Sequence, residues 1–185
     1  VHGPIEALFT IDEETGMTGA FGLKAGELEG DILLNLDSET EGELYVGCAG
    51  GIDATIRFDF KKEAMPSSYS AFELTVKGMK GGHSGMDIIL GRGNANKTLF
   101  RILKALETVD VRLGNINGGS LRNAIPREAF CTIAVPTDKA QEAMNIVKEL
   151  EAVVKSELSA VEPDLIITMT EASSCEFVMD TDAAK

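Results

Sequence analysis

Hydrophobic residues change their spacing near residue 50. Before it they form short continuous runs, at residues 5–11, 32–36 and 44–48. Such runs are typical of strands that are buried on both faces of a parallel sheet. After Gly51, apolar and polar residues alternate over residues 52–60, which indicates a strand with one face toward solvent. We therefore predict two domains, a piece of a parallel α/β core at residues 1–50 and a second module at residues 51–185.

The second module has a longer pattern of its own. Its segments are predicted as a strand at 72–76, a helix at 95–106, strands at 109–117 and 130–135, a helix at 144–158 and a strand at 165–169. The order β-α-β-β-α-β between residues 69 and 171 is that of the ferredoxin-like split βαβ plan. It predicts an α+β fold, with one antiparallel sheet that carries both helices on a single face.

Composition narrows the class of protein. The chain has 185 residues, with 17 Lys and Arg against 30 Asp and Glu, so its formal net charge is −13. Nucleic acids and anionic membranes require a basic face, so we expect neither as a partner. No apolar run approaches the roughly 18 residues of a membrane helix, and no signal peptide is visible. Three scattered cysteines fit a reducing compartment, and we expect a cytoplasmic protein.

Three acidic residues, Asp12, Glu13 and Glu14, follow the first predicted strand. In α/β sheets ligands bind beyond the carboxyl ends of the strands, which is where this cluster would lie. Adjacent carboxylates repel one another, and a divalent cation offsets that cost. Glu14 would then bind the metal while Glu13 acts as a base toward metal-bound water. An ordinary acidic surface loop is the alternative interpretation.

Asp37 stands in the same relation to the second predicted strand. Neighbouring parallel strands would bring the two acidic ends together, which favours a site for a hard cation. A solvated turn at Asp37 explains the sequence equally well.

Two polar loops carry further candidate residues. His83 lies in the glycine-rich segment GGHSG, where it would donate to an oxyanion or to a substrate carboxylate. Asn123 offers an amide for recognition, and Arg122 offers a guanidinium that fits a carboxylate. The alternatives are an exposed histidine without a role and a plain connection between two strands.

Four segments carry a resemblance to a known family. They are LFTIDEETGMTGAFGL, NLDSETEGELYVGCAGG, KGGHSGMDI and GGSLRNAIPREAF. Together they resemble the di-zinc peptidases of the M20 family, and among these the dipeptidases that cleave Xaa-His substrates. The resemblance covers most of the chain and weakens after about residue 160. It implies a zinc-binding catalytic domain, represented by residues 1–50, and a lid domain that begins at residue 51.

The resemblance also implies roles for individual residues. Glu13 matches the general base, while Glu14 and Asp37 match ligands of the two zinc ions, for which manganese or cobalt are possible substitutes. His83 matches the lid histidine that contacts the substrate or steadies the oxyanion. Asn123 matches a lid residue near the substrate, and Arg122 is a weaker match.

Some parts of the family pattern are missing from this sequence. The H-x-D ligand pair, the bridging aspartate and the C-terminal histidine are absent, so only Glu14 and Asp37 match metal ligands. The chain also begins without Met and enters a predicted strand almost at once. We therefore expect a fragment that is inactive by itself.

The resulting hypothesis is part of a zinc-dependent dipeptidase whose substrate is a dipeptide with a C-terminal His. The resemblance also implies a homodimer formed through the lid, for which the strand at 52–60 or the strand at 69–79 offers an exposed edge. Two alternatives stay open. One is another M20 hydrolase, of the tripeptidase or aminoacylase type, and the other is a lid that serves only in dimerisation.

Overall fold

The computed structural model describes residues 2–38, 40–48 and 50–181. Its internal contacts divide the chain into two compact units between Thr55 and Ile56. Each unit is described separately below. No helix among the described residues is both long and apolar enough to cross a membrane.

The first unit contains one short helix, α1 (Thr18–Gly22), and its described residues form no strand. The predicted strands at 5–11, 32–36 and 44–48 are therefore wrong for this structure. Apolar side chains in these runs face solvent, for example Phe9 at 90%, Ile32 at 84% and Val46 at 93% exposure. A strand is stable only when another strand pairs with its backbone and its apolar face is covered. Neither condition is met within the described residues of this unit.

The second unit contains the remaining elements. The strands are β1 (Lys62–Glu63), β2 (Tyr69–Lys77), β3 (Gly82–His83), β4 (Arg112–Gly118), β5 (Ala124–Ile125), β6 (Ala129–Pro136), β7 (Ile166–Glu171) and β8 (Val178–Met179). The helices are α2 (Ala95–Leu106) and α3 (Ala140–Glu157). Three 3-10 turns accompany them, at Ile88–Leu90, Glu107–Val109 and Thr137–Lys139.

The main sheet has the order β4-β6-β2-β7, and every neighbouring pair in it is antiparallel. With α2 and α3 between the strands, this is the ferredoxin-like plan, and the predicted α+β fold is confirmed. Two details were predicted wrongly. Strand β2 is central rather than at an edge, because β6 and β7 pair with its two sides, and residues 52–60 form no strand. The edges of the main sheet are β4 and β7.

Apolar and polar residues alternate along β2, and this alternation places one face of the strand in the core. Phe72, Leu74 and Val76 are at most 2% exposed. Leu99 and Ile102 of α2 are equally buried and belong to the same cluster, as do residues of α3. One apolar face of the sheet and one stripe of each helix therefore form a single core.

Candidate functional site

The loops that carry His83 and Asn123 are joined by backbone pairing. Gly82 pairs with Ile125 and His83 pairs with Ala124, in the short ladder formed by β3 and β5. The backbone N–H of Ser84 then donates to the carbonyl oxygen of Asn123 over 2.8 Å. Two polar loops that lie about forty residues apart in the sequence are thus held side by side.

The imidazole of His83 is held in a defined orientation. Its Nδ1 accepts the backbone N–H groups of Gly85, at 3.0 Å, and of Met86, at 3.2 Å. A ring nitrogen that accepts carries no proton, so this pattern assigns the proton of the neutral ring to Nε2. His83 is exposed. The turn holds the ring through Nδ1, and Nε2–H, on the other side of the ring, is a hydrogen-bond donor.

An ion pair braces the backbone of the same loop. The Asp87 carboxylate accepts the backbone N–H of His83 at 2.8 Å and lies 3.4 Å from the Arg92 guanidinium. Arg92 also donates to the carbonyl oxygen of Gly81 at 2.6 Å. A Cβ on Gly82 would overlap both charged groups, so this position requires glycine. Asp87 and Arg92 were not among the predicted site residues, because a pair of opposite charges in a loop has no distinctive sequence pattern.

A cleft with a volume of about 580 Å³ opens beside these two paired loops. Its lining includes three cationic side chains, Arg92, Lys97 and Arg122, together with the amides of Asn94 and Asn96. His83 and Asn123 do not line it themselves, although their neighbours Ser84, Arg122 and Ala124 do. In a chain with net charge −13, such a lining is suited to a ligand that carries a carboxylate.

The predicted acidic residues lie in the first unit, and all of them are exposed. The Asp12 carbonyl oxygen accepts the N–H of Gly16 at 3.1 Å and of Met17 at 2.7 Å, so Glu13 and Glu14 lie in a tight turn. The backbone N–H of Asp37 donates to the side chain of Asn35 at 3.0 Å. Within the described ranges, no three His, Cys, Asp or Glu side chains come together as a metal site.

Comparison with known proteins finds a family match within the second unit. Residues 74–162 match the peptidase dimerisation domain of the M20 family. The cytosol non-specific dipeptidase of Escherichia coli K12 is 51% identical over 175 residues, which are 94% of this chain and 36% of that protein. Over residues 74–162, the chain is therefore similar to the dimerisation domain of M20 peptidases. The crystal structure of aminoacylhistidine dipeptidase from Vibrio alginolyticus matches 93% of the chain at 50% identity, with a TM-score of 0.79.

The chain spans about a third of the length of these two M20 relatives, 36% of one and 35% of the other. M20 peptidases are generally metal dependent. Protein zinc sites take three or four ligands, usually with nitrogen or sulfur among them. Glu14 and Asp37 offer only carboxylate oxygens. Among the described residues, neither of them belongs to a group of three or more His, Cys, Asp or Glu side chains that could hold a metal ion. The described residues therefore do not assemble a zinc site, and we assign no chemical step to a metal here.

Proposed function

We propose that this chain is part of a dipeptidase that hydrolyses dipeptides with a C-terminal His. The observation that carries the proposal is the fixed imidazole of His83, whose neighbouring residues line a cationic cleft. The two relatives described above, a non-specific dipeptidase and an aminoacylhistidine dipeptidase, support the choice of reaction and substrate.

The chemistry of the cleft suits this substrate. A dipeptide ends in a carboxylate, which the positive charges of Arg122 and Lys97 in the cleft lining would attract. Peptide hydrolysis develops negative charge on the carbonyl oxygen, and a preorganised donor such as His83 Nε2–H stabilises that charge. Asn123 would add an amide contact to the substrate backbone.

Glu13 stays our candidate for the general base, and Glu14 and Asp37 stay our candidates for zinc ligands, on the resemblance alone. Because the described residues hold no complete ligand set, these three roles need groups from outside the described residues. We therefore propose that the 185-residue chain does not hydrolyse dipeptides by itself. An assay with glycyl-histidine and added zinc or manganese checks this, with Glu13→Ala as control. Turnover that depends on Glu13 would contradict it.

A chimera tests the proposed function in a whole enzyme. The aligned segment of the Escherichia coli dipeptidase is replaced by residues of this chain, and hydrolysis of Xaa-His dipeptides, a tripeptide and an N-acyl amino acid is compared. We expect dipeptidase activity that falls by about 10²-fold or more in kcat/KM with His83→Ala, since one oxyanion donor contributes about that much. His2→Ala is the matched control. Equal activity of the His83 variant, or a preference for the tripeptide or the acyl amino acid, would contradict the proposal.

Dimerisation is a second proposed function, favoured by the match to a dimerisation domain. We propose a homodimer in the cytoplasm, formed through an edge of the main sheet at β4 or β7. Sedimentation equilibrium of the chain checks it. A monomer at all accessible concentrations, up to about millimolar (a Kd that corresponds to only about 4 kcal/mol), would contradict it.

A further inference from the structure

Glu162 is a buried carboxylate that lies outside the lining of the cleft and outside the predicted site residues. Its side chain is 2% exposed, and it is one of the largest fully buried side chains in the described structure. A buried carboxylate is costly unless hydrogen-bond donors surround it. The groups that donate hydrogen bonds to Glu162 indicate its role in the structure.

Both oxygens of Glu162 accept backbone N–H groups from the loop that carries His83. Oε2 accepts the N–H of Lys80 at 2.7 Å, and Oε1 accepts the N–H of Gly93 at 2.8 Å. These two donors lie at the beginning and the end of the segment 80–93. One side chain from beyond α3 therefore closes the loop at its base.

The position of Glu162 is itself fixed. Its backbone N–H donates to the carbonyl oxygen of Leu158 at 2.7 Å, in the turn that follows α3. Gly93 is in close contact with it, because an added Cβ there would lie 3.2 Å from the Glu162 Cγ and 2.9 Å from the Met79 sulfur. The glycine lets the backbone N–H reach the carboxylate.

Further contacts within the segment 80–93 connect its ends to the backbone of His83. Arg92, next to Gly93, binds the Gly81 carbonyl oxygen and pairs with Asp87. Asp87 holds the backbone of His83. The chain of contacts thus runs from Glu162 through the ends of the loop to the residue that presents the ring.

We propose that Glu162 is a positioning residue, which closes the segment 80–93 and thereby sets the orientation and tautomer of the His83 ring. The consequence for catalysis rests on the function proposed above. The structural statement does not, and it is tested on the chain without any substrate.

The first measurement uses ring ¹⁵N NMR at pH 8, where an ordinary imidazole is neutral. The chain has two histidines, so His83→Ala assigns the signals. We expect His83 to show a single tautomer with the proton on Nε2. Glu162→Gln keeps the shape but turns an N–H₂ group toward one backbone donor, and we expect it to move the ring toward the tautomer mixture of free imidazole.

Two controls separate positioning from a general loss of stability. Glu157→Gln removes a surface carboxylate that pairs with Arg101, and Ile133→Val weakens the core without touching the loop. Both should leave the His83 signals unchanged. An unchanged ring in Glu162→Gln, or an equal change in Ile133→Val, would overturn the proposal.

A second measurement needs no variant, so it decides the question even if Glu162→Gln fails to fold. Hydrogen exchange of the unmodified chain should show the Lys80 and Gly93 amides protected together with those of Gly85 and Met86, as one cooperative unit. In a folded Glu162→Gln, these amides should exchange about tenfold faster or more, while those of β6 stay unchanged. Fast, independent exchange of Lys80 and Gly93 in the unmodified chain would overturn the proposal. An inactive chimera with these results would contradict only the proposed function.

Discussion

The backbone N–H of Ser84 lies 2.8 Å from the carbonyl oxygen of Asn123 and donates to it. This one bond extends the pairing of β3 with β5 beyond the strands and fixes the His83 loop against the Asn123 loop. The two polar loops that the sequence singled out are therefore parts of the same surface. Their separation cannot change without breaking a backbone ladder.

The first prediction concerns Gly82, the residue before His83, against which the side chains of Asp87 and Arg92 pack closely. Gly82→Ala should lower the free energy of unfolding by about 1–3 kcal/mol, because the backbone angle φ of 142° and the adjacent Asp87 and Arg92 leave no room for a Cβ. Gly91→Ala is the control, since Gly91 also has a positive φ, of 64°, but has open space around it. Urea unfolding of both variants checks the difference, and an equal cost for the two would contradict our account of Gly82.

Part of this site was predictable from the sequence. The glycines around His83 and the Asn-Ala-Ile-Pro segment at Asn123 indicate displayed polar loops, because these residue types favour turns. Asp87 and Arg92 were not predicted, because an ion pair within one loop has no distinctive sequence pattern. Glu162 was not predicted, because its role depends on backbone groups that are far from it in the sequence. The roles of Glu13, Glu14 and Asp37 stay predictions.

A second prediction concerns the close approach of two backbones at Gly78. Its φ is 81°, and an added Cβ would overlap the carbonyl oxygen of Asp164, a backbone atom that cannot rotate away. Gly78→Ala should therefore destabilise the chain by about 3 kcal/mol or more. Gly119→Ala, at a φ of 75° but with only ordinary contacts, should cost clearly less. Thermal unfolding distinguishes the two, and a mild effect at Gly78 would show that the loop moves freely.

A third prediction follows from the buried thiol of Cys131. Burial raises its pKa to about 12, and the neighbouring charge of Glu73 acts in the same direction. In the unfolded chain the thiol ionises near pH 9, so between pH 9 and 12 the unfolded state releases a proton that the native state keeps. The free energy of unfolding should therefore fall as pH rises through this range, by about 1.4 kcal/mol per pH unit from this group.

Denaturant unfolding between pH 8 and 11 checks this by comparison of variants, because tyrosines and lysines titrate in the same range. Cys131→Ala should lose stability at pH 8 through its cavity but should decline less steeply with pH. Cys48→Ala, at an exposed cysteine, is the control. Parallel pH profiles for the original chain and Cys131→Ala would contradict the assignment.

The fold was predictable to different extents in the two units. Alternation in β2 and the apolar stripe of α2 identified the module, because the surfaces they bury lie within that module. The apolar runs at 5–11 and 32–36 were interpreted as strands from the same kind of signal. A continuous apolar run shows that burial is favourable but does not supply the partner, and no partner strand exists among the described residues of that unit.

The last prediction concerns the link between α2 and α3. Arg101 holds Glu157 through two parallel bonds, of 2.6 and 3.0 Å, and this hydrogen bonding, with the charge of the guanidinium, lowers the pKa of the Glu157 carboxyl. The pair therefore stabilises the native chain at pH values above the ordinary range of a glutamate. That contribution is lost as pH falls through the lowered pKa of Glu157.

Carboxyl ¹³C NMR titration checks this directly. Arg101→Gln should raise the titration midpoint of Glu157, because the donor of both bonds is gone. Since both side chains are about half exposed, salt should weaken the effect, and the change in stability should be small. Lys155→Gln, which breaks the pair with Glu151 on the same helix, should leave Glu157 unchanged. A Glu157 midpoint that does not respond to Arg101→Gln would mean that the two helices are joined by their apolar faces alone.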